Sequence, residues 1–130
     1  MLSFHVETGV REALIDVTGR LEELLRESGT RSGLMTVYTP HTTTGLTINE
    51  GADPDVCRDI LAHLRAMVPR NANFRHSEGN SDAHIKAALL GSSVQVIVSD
   101  GRLVLGTWQR VFLCEFDGPR RRTLHVKILP

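Results

Sequence analysis

The chain has 130 residues, which is enough for one domain with its own core and too few for two. Apolar residues make up 41% of the sequence and charged residues 23%, as in ordinary globular proteins. Lysine plus arginine equals aspartate plus glutamate at 15 each, so no net charge attracts nucleic acid or an anionic membrane.

Targeting and membrane signals are missing from the printed sequence. The first ten residues, MLSFHVETGV, lack the basic start and apolar run of a signal peptide. No apolar run approaches the roughly 20 residues that a membrane-spanning helix needs. Cys57 and Cys114 are too far apart for a CxxC redox or zinc pair. We therefore expect a cytoplasmic protein with two reduced thiols and with neither a nucleic-acid nor a membrane partner.

The first 29 residues predict two strands and a helix. The segments SFHVET and REALIDVT contain β-branched residues in partial alternation, which favours strands. Thr18 is then a candidate N-cap, and Leu21, Leu24 and Leu25 define one apolar helical face. Gly29 predicts the end of this helix.

The middle of the chain predicts two strands and two helices. GLMTVYTP and TGLTIN have the composition of strands. Asp53 is a good N-cap and Pro54 suits the first helical position, so we expect a helix that ends at Pro69. After a loop, DAHIKAALL predicts a shorter helix closed by Gly91.

The last 40 residues predict an antiparallel sheet. SVQVIV and RLVLGTW flank the tight-turn signal SDG, and RVFLCEF and TLHVKIL continue the period-two pattern, with DGPRRR as the turn between them. The resulting fold class is α+β: one domain spanning residues 1–130, largely an antiparallel sheet or sandwich with about three short helices. Three short helices cannot cover both faces of so much sheet, which favours a symmetric oligomer.

Three histidines are candidate metal ligands, and two of them, His41 and His84, are also candidate catalytic residues. His41 lies at a predicted strand tip, His76 in a loop, and His84 near the start of the helix that follows this loop. If the three rings converge, they leave a fourth position open, as at catalytic zinc sites. No HxH or HExxH motif supports the metal, and a histidine at a turn is commonly hydrogen-bonded within that turn.

Two carboxylates are candidates for acid–base chemistry. Glu50 has no evident structural role, so it is a candidate general base or a partner that orients a ligand. Asp59 lies one turn into the predicted helix near this polar segment, although solvated surface is the simpler explanation. Asp53 is already explained as an N-cap.

Hydroxyls and arginines predict recognition of a small polar ligand. Thr42, Thr43 and Thr44 follow His41, and because side chains alternate along a strand, only some of them can face a ligand; we assign Thr43 to this role. The run from Arg120 to Arg122 suits bidentate binding of phosphate, and we assign Arg121 to it. No phosphate-binding glycine loop accompanies these residues.

Three blocks resemble the signature segments of the YjbQ family of small bacterial and archaeal proteins. They are HTTTGLTINEGADPDV, HSEGNSDAHIKAALLGSSV and GRLVLGTWQRVFLCEFDGPRRR, and they follow in order through nearly the whole chain. The Gly-Thr-Trp-Gln segment at residues 106–109 is specific to that family.

The resemblance implies a homotrimer with a polar pocket near the subunit interface. The positions of this chain that match the family pattern include the three histidines, His41, His76 and His84, and also Asn49, Glu50, Asp53, Asp59, Trp108, Gln109 and Glu115. Asn49 and Gln109 are thereby expected to bind the ligand. The family's label, secondary thiamine-phosphate synthase, implies a reaction that joins two phosphorylated metabolites and expels pyrophosphate.

Several functions fit these expectations. A synthase needs charge neutralisation at the departing diphosphate, from arginines or magnesium, whereas three histidines suit zinc or another transition metal. The chain is too short for the (β/α)₈ barrel, which needs about 250 residues. A metal-dependent hydrolase and a binding module that holds a phosphorylated metabolite without turnover are the alternatives.

Overall fold

The computed structural model describes all residues from 1 to 130. The eight strands are β1 (Leu2–Glu7), β2 (Ala13–Asp16), β3 (Gly33–Tyr38), β4 (Thr44–Glu50), β5 (Ser93–Ser99), β6 (Arg102–Leu103), β7 (Gln109–Glu115) and β8 (Arg121–Leu129). The three helices are α1 (Thr18–Ser28), α2 (Pro54–Met67) and α3 (Ser81–Leu90). The α+β class and the number of helices are confirmed.

The strands form two antiparallel sheets. The larger sheet has the strand order β1-β8-β3-β5-β6 and the smaller one β2-β7-β4. The main core lies between the sheets, where Met35 and Val37 of β3 pack with Leu46 of β4 and Leu113 of β7. Leu21 and Leu25 of α1 are completely or almost completely buried in the same core. The architecture is therefore a sandwich with α1 contributing to its interior.

The other face of the small sheet carries a second core. Cys114 and Phe116 point away from the main core and pack with Leu64 of α2 and Ala83 of α3. Strand β7 is thus covered on both faces, which explains why its predicted alternation separates two apolar sets rather than an apolar and a polar set. The layers are the large sheet, the small sheet, and the pair α2 and α3.

Most predicted helix boundaries are confirmed. Asp53 caps α2, since its side chain accepts a hydrogen bond from the Asp55 N–H at 2.9 Å and Pro54 is the first helical residue. Gly29 ends α1 in the left-handed conformation, with φ 67°. The prediction for Thr18 was wrong: Thr18 is the first residue of α1, and its N–H donates to Asp16 Oδ1 at 2.9 Å.

Two predictions near the C-terminus need correction. The strand expected from residue 102 to 108 ends at Leu103, because a tight turn follows in which the Gly106 N–H donates to Gln109 Oε1 at 2.8 Å. The arginine run is not all in a turn, because Arg121 and Arg122 already belong to β8. Successive side chains of a strand point to opposite faces, so these two arginines have different environments.

The outer face of the large sheet has no helix over it. Ile97, Tyr38 and Leu129 expose 61%, 45% and 49% of their surface there. In the register of the sheet, Leu34 lies directly between Ile97 and Leu129 on neighbouring strands. This face therefore combines apolar side chains with solvent exposure. None of the three helices is both long and apolar enough to cross a bilayer.

Candidate functional site

A surface cleft lies between the loop that joins β3 to β4 and the helix α3. His41 comes from the loop and His84 from the helix, and both line two adjoining depressions. One depression, about 370 Å³, is lined by polar residues except for Pro40 and includes Thr43, Asn80, Asp117, Arg120 and Arg122. The other, about 450 Å³, extends along Tyr38 and the C-terminal end of α3. We call the two depressions together the histidine cleft.

A hydrogen bond from the backbone of β8 fixes the ring of His41. The Thr123 N–H donates to His41 Nε2 at 2.9 Å. Nε2 must therefore carry a lone pair, so in the neutral ring the proton resides on Nδ1. His41 is in this form a hydrogen-bond donor through Nδ1.

The surroundings of His41 favour its neutral form. Burial lowers the pKa of His41 below its ordinary value, and the nearby guanidinium groups of Arg122 and Arg120 lower it further. The carboxylate of Glu115 acts in the opposite direction without reversing the shift. His41 is consequently an uncharged donor at neutral pH.

The ring of His84 packs against the ring of His76 and forms no side-chain hydrogen bond within the chain. The two rings meet edge to face with centroids 5.6 Å apart. His76 is exposed, and its Nδ1 is hydrogen-bonded to Ser81 Oγ at 3.0 Å. The ring nitrogens of His84 form no hydrogen bond within the chain, so at least one N–H donor remains for a ligand.

A buried ion pair between Arg122 and Glu115 lies below the cleft and is hydrogen-bonded to a residue that lines it. Arg122 donates from Nε to Glu115 Oε1 at 2.8 Å and from Nη2 to Thr43 Oγ1 at 2.8 Å. Thr8 donates to the same Glu115 oxygen at 2.8 Å. Arg122 and Glu115 are almost completely buried, so their charges depend on each other. The pair stiffens the position of Thr43.

At the rim of the histidine cleft, the carboxylate of Asp117 accepts two hydrogen bonds from neighbouring side chains. Its Oδ2 accepts from Arg120 Nη2 at 2.9 Å and from Asn80 Nδ2 at 2.8 Å. Asn80 Oδ1 is buried without a partner in the chain. A buried acceptor that lacks a donor is energetically costly, so the position of Asn80 depends on its bond to Asp117.

The residues of one chain do not fit a three-histidine metal centre. No three His, Cys, Asp or Glu side chains come together in a metal-binding arrangement. In addition, the lone pair of His41 Nε2 is engaged with the Thr123 N–H, and its Nδ1 carries the proton. His84 lies beside His41 across the cleft and beside His76, but the three rings do not surround one point.

The residues Asn49, Glu50 and Gln109 lie at the far end of the small sheet. In the register of β4 and β7, Thr44 faces Glu115 near the histidine cleft, whereas Glu50 faces Gln109. Six residues along a strand correspond to about 20 Å, so one chain does not bring this group to His41.

Each member of that distant group has a local structural role. Glu50 Oε2 accepts from the backbone N–H of Ala52 at 2.6 Å and of Asp53 at 2.9 Å, which shapes the turn before α2. Asn49 Oδ1 accepts from the Glu50 N–H at 2.7 Å. Gln109 closes the turn that begins at Gly106.

Asp59 and Arg121 are also outside the histidine cleft. Asp59 is exposed on α2 beside His63. Arg121 points to the outer face of the large sheet, where its Nε lies 3.2 Å from Glu7 Oε1. The arginines that line the cleft are Arg120 and Arg122.

Sequence reasoning gave no role in the cleft to Asn80 or Asp117, and it placed Glu115 in the family pattern without giving it a partner. Glu115 occupies an inward position of an alternating strand, and a buried carboxylate there requires a cationic partner, which could have pointed to Arg122. Asn80 and Asp117 carry no such signal, because 37 residues separate them and only the folded chain joins them.

The fold and the cleft define a class: small two-sheet α+β proteins with a polar, histidine-containing cleft between a strand loop and a helix. A family model described as UPF0047 protein YjbQ-like matches residues 2–130. The chain belongs to this family, as the resemblance of the three sequence blocks predicts.

Relatives and solved structures agree over almost the entire chain. UPF0047 protein YugU of Bacillus subtilis is 47% identical over 128 residues, which cover 98% of this chain and 97% of the relative. UPF0047 protein MJ1081 of Methanocaldococcus jannaschii is 49% identical over 129 residues, covering 99% of this chain and 94% of the relative.

Two solved structures illustrate the range of similarity. A yjbq/upf0047 family protein of Clostridium acetobutylicum superposes with a TM-score of 0.97 at 48% identity, covering 99% of this chain and all of that chain. A YbjQ-like protein of Sulfolobus solfataricus has a TM-score of 0.93 at 32% identity, with coverage of 98% and 94%.

Proposed function

We propose that the protein is a cytoplasmic enzyme that binds a small phosphorylated metabolite in the histidine cleft, with a reaction of the thiamine-phosphate synthase type. The observation that carries the proposal is that two histidines line one cleft, each with a ring nitrogen that forms no hydrogen bond within the chain. His41 offers the Nδ1 proton because Thr123 occupies its Nε2. His84, across the cleft, retains at least one N–H donor.

The chemistry of such a synthase agrees with these groups. The thiazole nitrogen forms a bond to the pyrimidine methylene carbon while the bond from that carbon to the diphosphate oxygen breaks. The diphosphate leaves with the electron pair, so the site must stabilise growing negative charge. No base is required. The Nδ1–H of neutral His41 suits this task, since a neutral imidazole can polarise an oxygen without transferring its proton. The ring of His84 supplies a second N–H donor.

Recognition in the cleft depends on hydrogen bonds more than on net charge. Both arginines of the cleft are already paired, Arg122 with Glu115 and Arg120 with Asp117. A phosphate group would therefore compete with these carboxylates.

We also propose that the protein assembles as a homotrimer. The exposed apolar side chains Ile97, Tyr38 and Leu129 on the uncovered sheet face support an interface with further copies of the chain. A closed ring of copies would in addition allow the distant group at Asn49, Glu50 and Gln109 to approach a neighbour's histidine cleft. Light scattering of the purified protein at several concentrations tests the assembly.

The enzymatic proposal is tested by assaying thiamine phosphate formation with the wild type, His84→Gln and His63→Gln. His63 is exposed on α2 and serves as the matched control. We expect His84→Gln to lose at least tenfold in kcat/KM and His63→Gln to retain the wild-type rate. Equal rates for all three proteins would remove His84 from the chemistry.

Thermal unfolding with pyrophosphate or thiamine phosphate separates an enzyme from a binding module. A ligand that binds only the folded state raises its stability. Stabilisation of the wild type by either compound, together with no thiamine phosphate formed in the assay, would favour the binding module. Neither stabilisation nor product would contradict both functions.

Whether the protein binds a divalent metal is tested separately from its activity. Zinc or another transition metal would need ligands from more than one chain, and magnesium would need to arrive with a diphosphate. Elemental analysis of untagged protein is the direct measurement. One zinc per chain, lost in His76→Gln, would show that neighbouring copies complete a metal site.

A further inference from the structure

A second cleft lies between the C-terminal half of α1 and the hairpin of β5 and β6. Its volume is about 370 Å³, and we call it the arginine cleft. The lining residues are Glu22, Leu25, Arg26, Gly101, Arg102 and Leu103. None of them lines the histidine cleft. A volume in this range is sufficient for a small metabolite.

The arginines around this cleft form no ion pair with a carboxylate of the chain. Eight of the 13 arginines form an ion pair with a carboxylate within 4.0 Å, whereas Arg26, Arg31 and Arg102, like the distant Arg70 and Arg75, do not. Arg26 and Arg102 line the cleft from opposite elements, α1 and β6. The cleft thus brings two guanidinium groups together, neither of which is engaged in an ion pair.

Arg31 is held against the turn at the edge of the same cleft. A Cβ atom added to Gly101 would lie 3.0 Å from Arg31 Nη1, so the guanidinium occupies the space beside the glycine. The Gly101 N–H donates to the Arg31 carbonyl oxygen at 2.9 Å. These contacts fix the third cation next to the hairpin.

The hairpin places Arg102 directly after a tight turn. Asp100 and Gly101 both have positive φ, 53° and 72°, which is the signature of a tight type I′ turn. The Asp100 carboxylate, although adjacent in sequence, pairs with none of the three arginines. Arg102 therefore starts its strand from a fixed backbone with its guanidinium free.

We propose that the arginine cleft binds a small dianionic oxyanion, such as a phosphate ester or a dicarboxylate. Guanidinium groups bind carboxylate and phosphate in a bidentate manner, and Arg26 and Arg102 reach the ligand from two sides. Leu25 and Leu103 provide an apolar wall for the body of the ligand. Glu22 is the single carboxylate in the lining. It would accept a hydrogen bond from a hydroxyl or ammonium group of the ligand.

The test is a titration of the isotopically labelled full-length protein with inorganic phosphate and, separately, with malonate, at constant ionic strength. The backbone amide signals of Gly101 and Leu103 report on the arginine cleft, and those of Thr43 and His84 report on the histidine cleft. We expect saturable shifts at Gly101 and Leu103. Because the two clefts share no residue, this result is independent of the proposed function.

The double variant Arg26→Gln/Arg102→Gln should bind at least tenfold more weakly, while Arg58→Gln/Lys127→Gln, which removes the same charge from exposed positions, should bind as the wild type does. Saturation by phosphate alone would identify a phosphate ligand, and saturation by both anions a general oxyanion site. Absence of saturable shifts at Gly101 and Leu103, or equal weakening in both double variants, would overturn the proposal.

Discussion

Arg122 and Glu115 face each other in the interior, with Nε of the arginine 2.8 Å from Oε1 of the glutamate. The same guanidinium binds Thr43, a residue of the cleft wall, so one buried pair couples the centre of the small sheet to the candidate site. The pair belongs to β7 and β8, which lie in different sheets.

Arg122→Met should strongly destabilise the fold, because it leaves the Glu115 carboxylate buried without a cation. Removing one partner of a buried pair typically costs about 3–5 kcal/mol. Urea unfolding at pH 7 measures this cost. The neighbouring variant Arg121→Met loses only an exposed pair with Glu7, which is worth at most about 1 kcal/mol. Similar losses in both variants would contradict the importance of the buried pair.

The contribution of Glu115 should decrease in acid. Burial by itself raises the pKa of Glu115, but hydrogen bonds from Arg122, the Asp117 N–H and Thr8 outweigh burial and hold the pKa below its ordinary value. A lowered carboxyl pKa stabilises the fold above the ordinary value of about 4.3 and loses this effect as the pH falls through the lowered value. Unfolding of the wild type between pH 6 and pH 2 should show this loss, and Glu115→Gln should lose less stability over the same range, because Asp16 and Asp82 also have lowered pKa values.

His41 should titrate below the ordinary histidine value of about 6.5. Burial and the charges of Arg122 and Arg120 lower its pKa, so the folded state resists the proton that the unfolded chain accepts. His41 therefore costs stability as the pH falls from about 6.5 to its folded pKa. Nuclear magnetic resonance titration of the ring protons checks the direction. Arg120→Gln removes one cation and should raise the pKa of His41; an unchanged value would exclude this electrostatic coupling.

Gly33→Ala should destabilise the large sheet, since an added Cβ would lie 2.0 Å from the carbonyl oxygen of Leu129 on the neighbouring strand. Backbone displacement of this kind costs about 1–3 kcal/mol. Gly9→Ala is the matched control, because no atom lies within 4 Å of its added Cβ. Thermal unfolding of both variants should show a lower midpoint for Gly33→Ala alone.

The two thiols should differ in reactivity. Burial raises the pKa of Cys114 to about 12, so hardly any thiolate exists at neutral pH. Cys57 is only partly buried, although burial and the carboxylates of Glu50 and Asp16 also raise its pKa. A thiol reagent should modify Cys57 slowly and Cys114 only after unfolding, with Cys57→Ser as the control. Rapid labelling of Cys114 in the native protein would indicate local opening of β7.

Local sequence signals were sufficient for most of the secondary structure. Asp53 followed by Pro54, Gly29 and the Asp100-Gly101 turn act through short-range sterics and hydrogen bonds, which the sequence carries directly. The period-two pattern of β7 and β8 likewise predicted which residues are buried together. The strand expected after Arg102 was cut short because the Gly106–Gln109 turn prevailed over strand propensity.

Some features of the candidate site also follow from local sequence, whereas others depend on the tertiary structure. The sequence by itself determined that His41 and His84 stand at element ends beside hydroxyl groups, because strand tips and helix starts are marked locally. Only the tertiary structure decided which groups meet: Thr123 on His41, Asn80 on Asp117, and Arg122 beneath Thr43 come from segments up to 82 residues apart. It also separated Glu50 and Gln109 from His41, because strand register fixes distance along a sheet, and neither the composition nor the spacing of the sequence contains that register.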